Sequence, residues 1–542
     1  MIENPILPGF NPDPSILRVG EDYYIATSTF EWFPGIAIYH SKDLKHWQLI
    51  NHALTRKEQV DLKGLAPALG VWAPALSYHA PSKRFYMCYS VIHSVVDNFF
   101  DLDNYMVTTE DIRGEWSDAI YLNSSGFDPS IFHDDDGRSW VINLEWDFRQ
   151  GYEHPGCIVL EEFDLTHNVL MGNPVEISRG GTDRGCLEGP FIYKRKGWYY
   201  LITAEGGTGY GHGVVVQRSR QIQGPYDIHE KKPVITSQPN DFNERGIGES
   251  MKLHWYNPDS YLQRSGHGYI VETPGGEVYM SHLCSRPIMP QQRSILGRET
   301  AIQRCCWTDD DWIKLDGEDN LAGRYVKEPD LEEVFVEPLP EKDNFDGTSL
   351  TLDYYTLREP VEPHWLKLED GQLKLRGRES LLSRYQQSFI GKKLTTFKSM
   401  TETCLHFTPE NFMEMAGLCC YYNHTHFYYL RYYYSESFAS PCLGIMLADK
   451  GKKVELLEHR MAIGQVDKVY LKAEIDRDQL QFSYATSENN WKKIGPILDA
   501  SILSDEYAHG FTGAFVGLSA QDQYKKNKWA AFDYFDHRAG GI

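Results

Sequence analysis

The sequence predicts an all-β protein with two domains, a five-bladed β-propeller followed by a β-sandwich. The tetrapeptide Asp-Pro-Ser-Ile occurs twice, in GFNPDPSIL (9–17) and in GFDPSIF (126–132). Short aromatic strands recur at intervals of about sixty residues, which is typical of propeller blades. Alternating strand patterns without a helical period fill the last third of the chain and predict the sandwich. A chain of 542 residues is too long for a single core.

Each predicted blade opens with a short apolar strand that is followed by a polar turn and an aromatic strand. These first strands begin with DPSILRV, APALSYHA, DPSIFHD, GPFIYKR and GYIVETP. The residues at their heads are Asp13, Trp72, Asp128, Glu188 and His267. The interval before the fifth strand is longer, and we assign the excess to a loop insertion around 206–262. The five units occupy residues 1–325.

The heads of the five first strands are expected to meet at one mouth of the central channel, because the first strand of each blade is taken as the innermost. Three of the heads are carboxylic acids. Bringing three carboxylates together is costly through repulsion and desolvation, so a purely structural repeat does not require it. Taken singly, an Asp before Pro often only caps a turn, and Trp72 is more often a core residue. Because these residues occupy matched positions in successive blades, a functional role is favoured over a structural one. Paired carboxylates beside an aromatic wall are what glycoside hydrolysis requires.

The predicted second domain begins after an acidic, Pro-rich linker at 326–343 that contains KEPDLEEVFVEPLPEKD. Residues 344–542 contain the alternating strands FYYLRYYYSE, KVYLKAEIDRDQLQFSYA and AFVGLSAQ. Such a sandwich is either a carbohydrate-binding module or a lid that shapes the pocket of the propeller.

The composition argues against several partners. The formal net charge is −22 without a basic stripe, which disfavours binding to nucleic acid or to an anionic membrane. No apolar run is long enough to span a bilayer, and the N-terminus does not resemble a signal peptide. The ten cysteines form no CxxC pair, so we expect reduced thiols and a cytoplasmic protein.

The motif set resembles glycoside hydrolase family 43, and in particular its β-xylosidase branch. NPDPSI, GVWAPALSY, GFDPSIF, LEGPFIY and LGRETAIQ are all similar to that branch. GFTGAFVGLSAQD resembles the accessory sandwich of the same enzymes, so the resemblance covers essentially the whole chain. It implies a five-bladed propeller that hydrolyses xylan- and arabinan-derived substrates with inversion.

The resemblance also implies roles for individual residues. Asp13 of NPDPS is the general base, Glu188 of LEGP is the general acid, and Asp128 of GFDPS orients the acid and tunes its pKa. The implied substrate-contacting residues are Phe30, Trp72, Arg298, His267 and Phe511. No cofactor is required, although His267 matches a channel histidine that in some relatives binds calcium or lies beside a water cluster.

Inversion needs one protonated and one ionised carboxyl group at neutral pH. We expect ionised Asp128 to raise the pKa of Glu188 by like-charge repulsion. We expect Arg298 to offset the combined negative charge and to hold Asp128 in place. A water molecule between Asp13 and the anomeric carbon is the nucleophile.

Together these features predict an exo-acting inverting enzyme that releases xylose from xylobiose and other short β-1,4-xylo-oligosaccharides, with an α-L-arabinofuranosidase side activity. We also expect a homo-oligomer. One alternative is a non-catalytic carbohydrate-binding propeller, and another is an enzyme that is primarily an α-L-arabinofuranosidase. A retaining fructosidase is disfavoured, because the chain has Asn-Pro-Asp-Pro at 11–14 where those enzymes have Asn-Asp-Pro-Asn.

Overall fold

The computed structural model describes residues 1–151, 156–239, 242 and 251–540, and it confirms the all-β prediction. The one α-helix in these ranges is Asp505–Ala508, and short 3₁₀ turns lie at Leu253–Trp255, Leu457–His459 and Ala500–Ile502. None of these helices has the length and apolarity needed to cross a membrane. Part of the predicted insertion (240–241 and 243–250) and the last two residues of the predicted sandwich (541–542) lie outside the described residues.

Five antiparallel blades follow one another along the chain, and their strands lie in sequence order except that Ile235–Thr236 of the fourth blade pairs with Gly213–Ser219. The first blade contains Ser15–Val19, Asp22–Thr27, Gly35–Ser41 and Gln48–Leu54. The second contains Gly70–His79, Arg84–Val96, Phe99–Thr109 and Ile120–Asn123. The third contains Ser130–His133, Ser139–Trp146, Gly156–Asp164 and Val169–Ser178. The fourth contains Glu188–Arg195, Trp198–Glu205, Gly213–Ser219, Asp227–Ile228 and Ile235–Thr236. The fifth contains Gln263–Glu272, Val278–Ser285, Glu299–Trp307 and Ile313–Leu315.

The first strand of each blade faces the centre of the propeller, as the sequence predicts. One apolar cluster takes a side chain from each of the five first strands, namely Ile16, Ala75, Ile131, Phe191 and Tyr269. Burial of these side chains draws the inner strands together, and the segments at their heads then lie at one mouth of the channel.

The N-terminal segment joins the two ends of the propeller. Ile2–Glu3 pairs with Tyr325–Val326, and Leu7 forms a bridge with Thr300 in the fifth blade. Because residues from both ends of the domain share these backbone hydrogen bonds, the first and fifth blades are held side by side.

Residues 342–539 form a sandwich of two antiparallel sheets around a large apolar cluster. One sheet contains Lys342–Asp343, Leu366–Glu369, Gln372–Arg376, Lys398–His406, Val469–Asp476, Gln479–Ala485, Lys492–Asp499 and Trp529–Ala539. The other contains Tyr355–Leu357, Ser388–Lys393, Glu414–Asn423, His426–Ser435, Ser440–Asp449, Lys452–Glu455, Met461–Ala462 and Phe515–Asp522.

A strand of the propeller also belongs to this second sheet. Trp32–Phe33 pairs with Tyr355–Leu357, and the Trp32 ring stacks on Phe515 with ring centroids 3.6 Å apart. The two domains are therefore joined by backbone hydrogen bonds and a buried aromatic stack, and this junction lies close to the channel mouth.

Candidate active site

All eight residues that the sequence singles out line one cavity of about 550 Å³ at the channel mouth. They are Asp13, Phe30, Trp72, Asp128, Glu188, His267, Arg298 and Phe511. A slightly larger cavity of about 630 Å³ lies at the domain junction, but Glu369 is its only carboxylate among the described lining residues. The channel-mouth cavity is therefore the candidate active site.

Four of the eight residues have left-handed backbone conformations. The φ angles of Asp13, Phe30, Asp128 and His267 are 53°, 54°, 58° and 60°. Residues other than glycine rarely adopt this region, and such strain persists where the surrounding structure holds it in place, often at functional sites. The backbone thus turns sharply at the heads of the blades and aims these side chains into the cavity.

Asp13 is fixed as an acceptor by two hydrogen bonds. Its Oδ1 accepts from Nη1 of Arg298 at 2.9 Å, and its Oδ2 accepts from Oγ of Ser28 at 2.7 Å. The carboxylate is 6% exposed, so the guanidinium and the hydroxyl replace most of its water. A charge-assisted hydrogen bond of this kind adds geometric specificity, so it holds the carboxylate in a fixed orientation, as a general base requires.

The expectation that Arg298 holds Asp128 is wrong, because Arg298 binds Asp13. The backbone explains the difference: the carbonyl of Arg298 accepts from the amide of Asn11 at 2.9 Å, which places Arg298 beside the segment that carries Asp13. The first and fifth blades are neighbours in the closed ring, although they lie far apart along the chain.

Asp128 contacts the segment that carries the predicted acid. Its Oδ2 accepts from the amide of Gly189 at 2.9 Å, and its own amide donates to Oγ of Ser90 at 3.0 Å. Burial, and then the charge of Asp13, raise the pKa of Asp128 to about 7. Asp128 therefore lies next to Glu188 and can influence both its position and its charge.

Glu188 has the environment of a carboxyl group that keeps its proton. Its Oε1 is buried and has no hydrogen-bond partner among the described residues. Burial raises the pKa of Glu188 well above its usual value, and the charges of Asp128 and Asp13 raise it further. The charge of Asp128 thus raises the pKa of Glu188 in the expected direction, but desolvation, which the sequence does not show, is the larger cause.

Aromatic rings form one wall of the cavity. The Trp72 ring lies 5.8 Å from both Phe30 and Phe127 between ring centroids, and its Nε1 donates to the carbonyl of Ala68 at 3.0 Å. The sequence reasoning missed Phe127 and Trp146, which also line the cavity. Phe127 directly precedes Asp128 in the repeated motif, so its position could have been inferred.

The sandwich contributes a backbone acceptor as well as an aromatic ring. Nε and Nη2 of Arg298 donate to the carbonyl of Phe511 at 3.3 and 3.1 Å. The preceding helix is anchored on the propeller, because Asp505 accepts from Nη1 of Arg264 at 2.9 Å and Glu506 accepts from the amide of Ser294 at 2.6 Å. The second domain therefore helps to hold the guanidinium that binds Asp13.

Lys252 and Cys186 also line the cavity near Glu188, and the sequence reasoning missed both. Nζ of Lys252 donates to the carbonyl of Gly206 at 3.0 Å. Burial lowers the pKa of Lys252, and the neighbouring Cys186 and Glu188 oppose that shift. Neither residue belongs to a repeat or to a charge pattern, so the sequence offered no signal for them.

His267 lies deep in the cavity as a neutral imidazole. Burial lowers its pKa, and its Nε2 has no partner among the described residues. Calcium takes six to eight oxygen ligands, and a single imidazole nitrogen does not supply such a set. In the described part of the chain, one set of three His, Cys, Asp or Glu side chains has its ligand atoms close enough together to share a metal ion. It is Cys404, His406 and Asp533, in the sandwich. The protein side chains at His267 thus do not by themselves form a calcium site.

Comparison with known proteins finds similar family models, relatives and solved structures for both domains. Residues 2–313 match the family model described as glycosyl hydrolases family 43, and residues 342–538 match the beta xylosidase C-terminal concanavalin A-like domain. The chain is 44% identical to xylosidase/arabinosidase 43B of Humicola insolens, over 99% of this chain and 97% of that protein. It is 40% identical to xylan 1,3-beta-xylosidase of a Vibrio species, over 99% of each. The crystal structure of xylan beta-1,4-xylosidase from Bacillus halodurans C-125 superposes with a TM-score of 0.93 at 44% identity, covering 99% of this chain and 100% of that one.

Proposed function

The chain belongs to glycosyl hydrolase family 43, and on that premise we propose that it is an exo-acting, inverting β-xylosidase. It releases xylose from the non-reducing end of short β-1,4-xylo-oligosaccharides such as xylobiose, and α-L-arabinofuranosidase action is a side activity. The resemblance to a xylan beta-1,4-xylosidase and to a xylosidase/arabinosidase supports this substrate class.

One observation carries the proposal: two carboxyl groups in one cavity have opposite environments. Asp13 is held beside the guanidinium of Arg298, whereas Oε1 of Glu188 is buried without a partner. The first group is oriented as a proton acceptor, and burial of the second favours the form that can donate a proton. An inverting glycosidase needs one carboxyl group in each state.

The reaction follows from these two states. Asp13 accepts a proton from a water molecule as that water attacks the anomeric carbon, and Glu188 donates its proton to the glycosidic oxygen as the bond to the leaving sugar breaks. Asp128, bound to the amide of Gly189, holds the acid's segment in place. Arg298 keeps Asp13 oriented throughout.

The shape of the site supports exo action. The cavity is bounded by Phe511 of the sandwich and by Val95, Asp97 and Asn98 at the tip of the long hairpin in the second blade. These residues come from both domains, and we propose that they limit the cavity to the end of a chain, so a single terminal sugar is the unit released.

Three further points belong to the proposal. No metal ion takes part in the chemistry, and any calcium in the channel is held near His267 through water. A cytoplasmic location is supported by the ten cysteines, none of which forms a disulfide bond and most of which are buried. A homo-oligomer is supported by exposed apolar side chains near the cavity, where the Phe99 and Phe148 rings lie 4.4 Å apart.

Initial rates on five substrates test the proposal: β-1,4-xylobiose, β-1,3-xylobiose, 4-nitrophenyl β-xyloside, 4-nitrophenyl α-arabinofuranoside and sucrose. We expect the highest kcat/KM among the disaccharides for β-1,4-xylobiose, and a lower one for the arabinofuranoside than for the xyloside. Binding without turnover would indicate a carbohydrate-binding propeller. A preference for the arabinofuranoside or for the β-1,3 linkage would reassign the substrate, and turnover of sucrose would indicate a fructosidase.

A further inference from the structure

Lys393 is a buried lysine at the junction of the two domains. It is the last residue of the strand Ser388–Lys393, and 7% of its surface is exposed. No carboxylate among the described residues lies within 4 Å of Nζ, and burial lowers the pKa of Lys393 to about 7. A buried amino group without a carboxylate partner is costly, which makes its other contacts informative.

The surroundings of Lys393 are neutral and point to one partner. Its Nζ lies 4.6 Å from the ring centroid of Tyr355 and 5.5 Å from that of Phe10. His52 contacts the Tyr355 hydroxyl at 3.2 Å, and burial, together with the charge of Lys393, lowers the pKa of His52 to about 3, so that imidazole is neutral. The one hydrogen bond from Nζ to a described residue goes to Oδ1 of Asn11, at 2.9 Å.

Asn11 lies two residues before Asp13 and all its polar groups are bonded. Oδ1 also accepts from the hydroxyl of Tyr39 at 2.7 Å, and Nδ2 donates to the carbonyl of Pro8 at 3.0 Å. Its carbonyl accepts from Oγ1 of Thr300 at 2.6 Å. Its amide donates to the carbonyl of Arg298, the residue whose side chain binds Asp13. Asn11 is thus the point where the base segment is fixed to both domains.

The base segment needs such support because its geometry is strained. Asp13 has a φ of 53°, and Pro12 between Asn11 and Asp13 restricts the intervening backbone. The segment also packs closely on the sandwich: a Cβ on Gly9 would lie 2.5 Å from the carbonyl oxygen of Leu394. A shift of Asn11 would therefore pass directly to the Asp13 carboxylate.

We propose that Lys393 is a positioning residue of the reaction, through which the sandwich domain holds the general base Asp13 in place by way of Asn11. The inference rests on the proposed role of Asp13 as base. It gives the second domain a part in the chemistry beyond that of covering the pocket.

Lys392 offers a matched control in the same strand. It is also buried, but alternation along the strand directs it to the other face, where Nζ pairs with Oδ2 of Asp353 at 2.8 Å and lies 4.6 Å from the Tyr354 ring centroid. Lys392→Met removes a buried ammonium group from the same strand without touching Asn11.

The test compares Lys393→Met with Lys392→Met in the full chain, using 4-nitrophenyl β-xyloside. We expect Lys393→Met to lower kcat by about tenfold to a hundredfold, the effect of a small misplacement of a catalytic group, with little change in KM. We expect Lys392→Met to lower the melting temperature but to keep the parental kcat. Unchanged kcat in folded Lys393→Met, or an equal loss of kcat in both variants, would overturn the inference.

A double-mutant cycle separates positioning of Asp13 from a general structural effect. If Lys393 acts through Asp13, Lys393→Met should add little to Asp13→Ala but should keep its full effect in Glu188→Ala. The same fold-loss in both backgrounds would contradict the inference. If Lys393→Met does not fold, Tyr39→Phe takes its place, because it removes the other hydrogen bond to Oδ1 of Asn11. A lower kcat at unchanged KM supports the inference, and parental kcat overturns it.

The outcomes also distinguish this inference from the proposed function. Parental activity in Asp13→Ala would remove the base role itself and the inference with it. A large loss in Asp13→Ala together with parental kcat in folded Lys393→Met would overturn the positioning role alone.

Discussion

Removal of the Glu188 carboxyl should slow hydrolysis most for those substrates whose leaving groups depend most on protonation. The leaving group of xylobiose is a sugar alkoxide, which must be protonated as the bond breaks. The leaving group of the aryl xyloside is 4-nitrophenolate, which leaves without protonation. Glu188 can serve the first reaction because burial raises its pKa and because its Oε1 has no hydrogen-bond partner among the described residues. Glu188→Ala should therefore damage xylobiose hydrolysis far more than aryl xyloside hydrolysis.

The size of the effect follows from the role. General acid catalysis contributes about a hundredfold to ten-thousandfold, which corresponds to about 3 to 5 kcal/mol of barrier at 1.36 kcal/mol for each factor of ten. We expect that loss of kcat/KM on xylobiose and a much smaller loss on 4-nitrophenyl β-xyloside. The alkaline limb of the pH profile on the aryl substrate should also disappear, because in the parent it reports deprotonation of the raised-pKa acid.

Glu205→Gln is the control for this experiment. Glu205 is also a buried carboxyl group with a raised pKa, but its oxygens accept from the amides of Gly181 and Thr182, and it is not part of the cavity lining. We expect Glu205→Gln to change stability without changing the ratio of the two activities. Equal losses on both substrates in Glu188→Ala, or a retained alkaline limb, would refute the assignment of Glu188 as the acid.

Three further predictions concern Asp128, the second domain and metal ions. The pKa of Asp128 is raised to about 7 in the folded protein, from about 4 in an unfolded chain, so its contribution to stability is full below pH 4 and is lost as the pH rises through 7. Asp128→Asn should therefore melt at a higher temperature than the parent at pH 8, and this difference in melting temperature should shrink towards pH 4. The variant should also lose xylobiose activity. A difference in melting temperature that does not depend on pH would contradict this account of Asp128. A chain ending at residue 341 should be inactive on xylobiose or insoluble, because it lacks the Phe511 carbonyl that binds Arg298 and exposes Trp32, which stacks on Phe515; a soluble fragment with parental kinetics would show that the sandwich is dispensable. Dialysis against a chelator should leave kcat largely unchanged, even if calcium raises it modestly, and a complete loss restored by metal would contradict the proposed metal-independent chemistry.

The repeated motifs made the propeller and the acids predictable, because matched positions in successive blades meet at the channel. Asp13 and Asp128 share one motif, and Glu188 occupies the corresponding place in a later blade. The predicted ring already places the first blade beside the fifth, but the sequence does not show which carboxylate Arg298 binds, because that depends on the backbone contact between Asn11 and Arg298. The two-residue strand Trp32–Phe33 is too short to show a period, so its pairing with the sandwich appears only in the structure.

The desolvation of Glu188 was hidden for a different reason. Glu188 is the only carboxylate in LEGPFIY, and its burial depends on cavity residues that come from other blades and from the sandwich. Lys393 illustrates the same limit, because nothing in SFIGKK distinguishes it from the adjacent Lys392. The two lysines differ only in the face of the strand from which each projects and in the partner that each one meets there.

The stereochemistry of the first product tests most directly whether Asp13 and Glu188 act as an inverting pair. Proton NMR spectra, recorded during the first turnovers of a β-xyloside and before mutarotation equilibrates the anomers, identify the xylose anomer that leaves the enzyme. Attack by an Asp13-activated water opposite the leaving group should give α-xylose first. Appearance of β-xylose first would mean that the bond is cleaved with retention, and would contradict the assignment of Asp13 as general base.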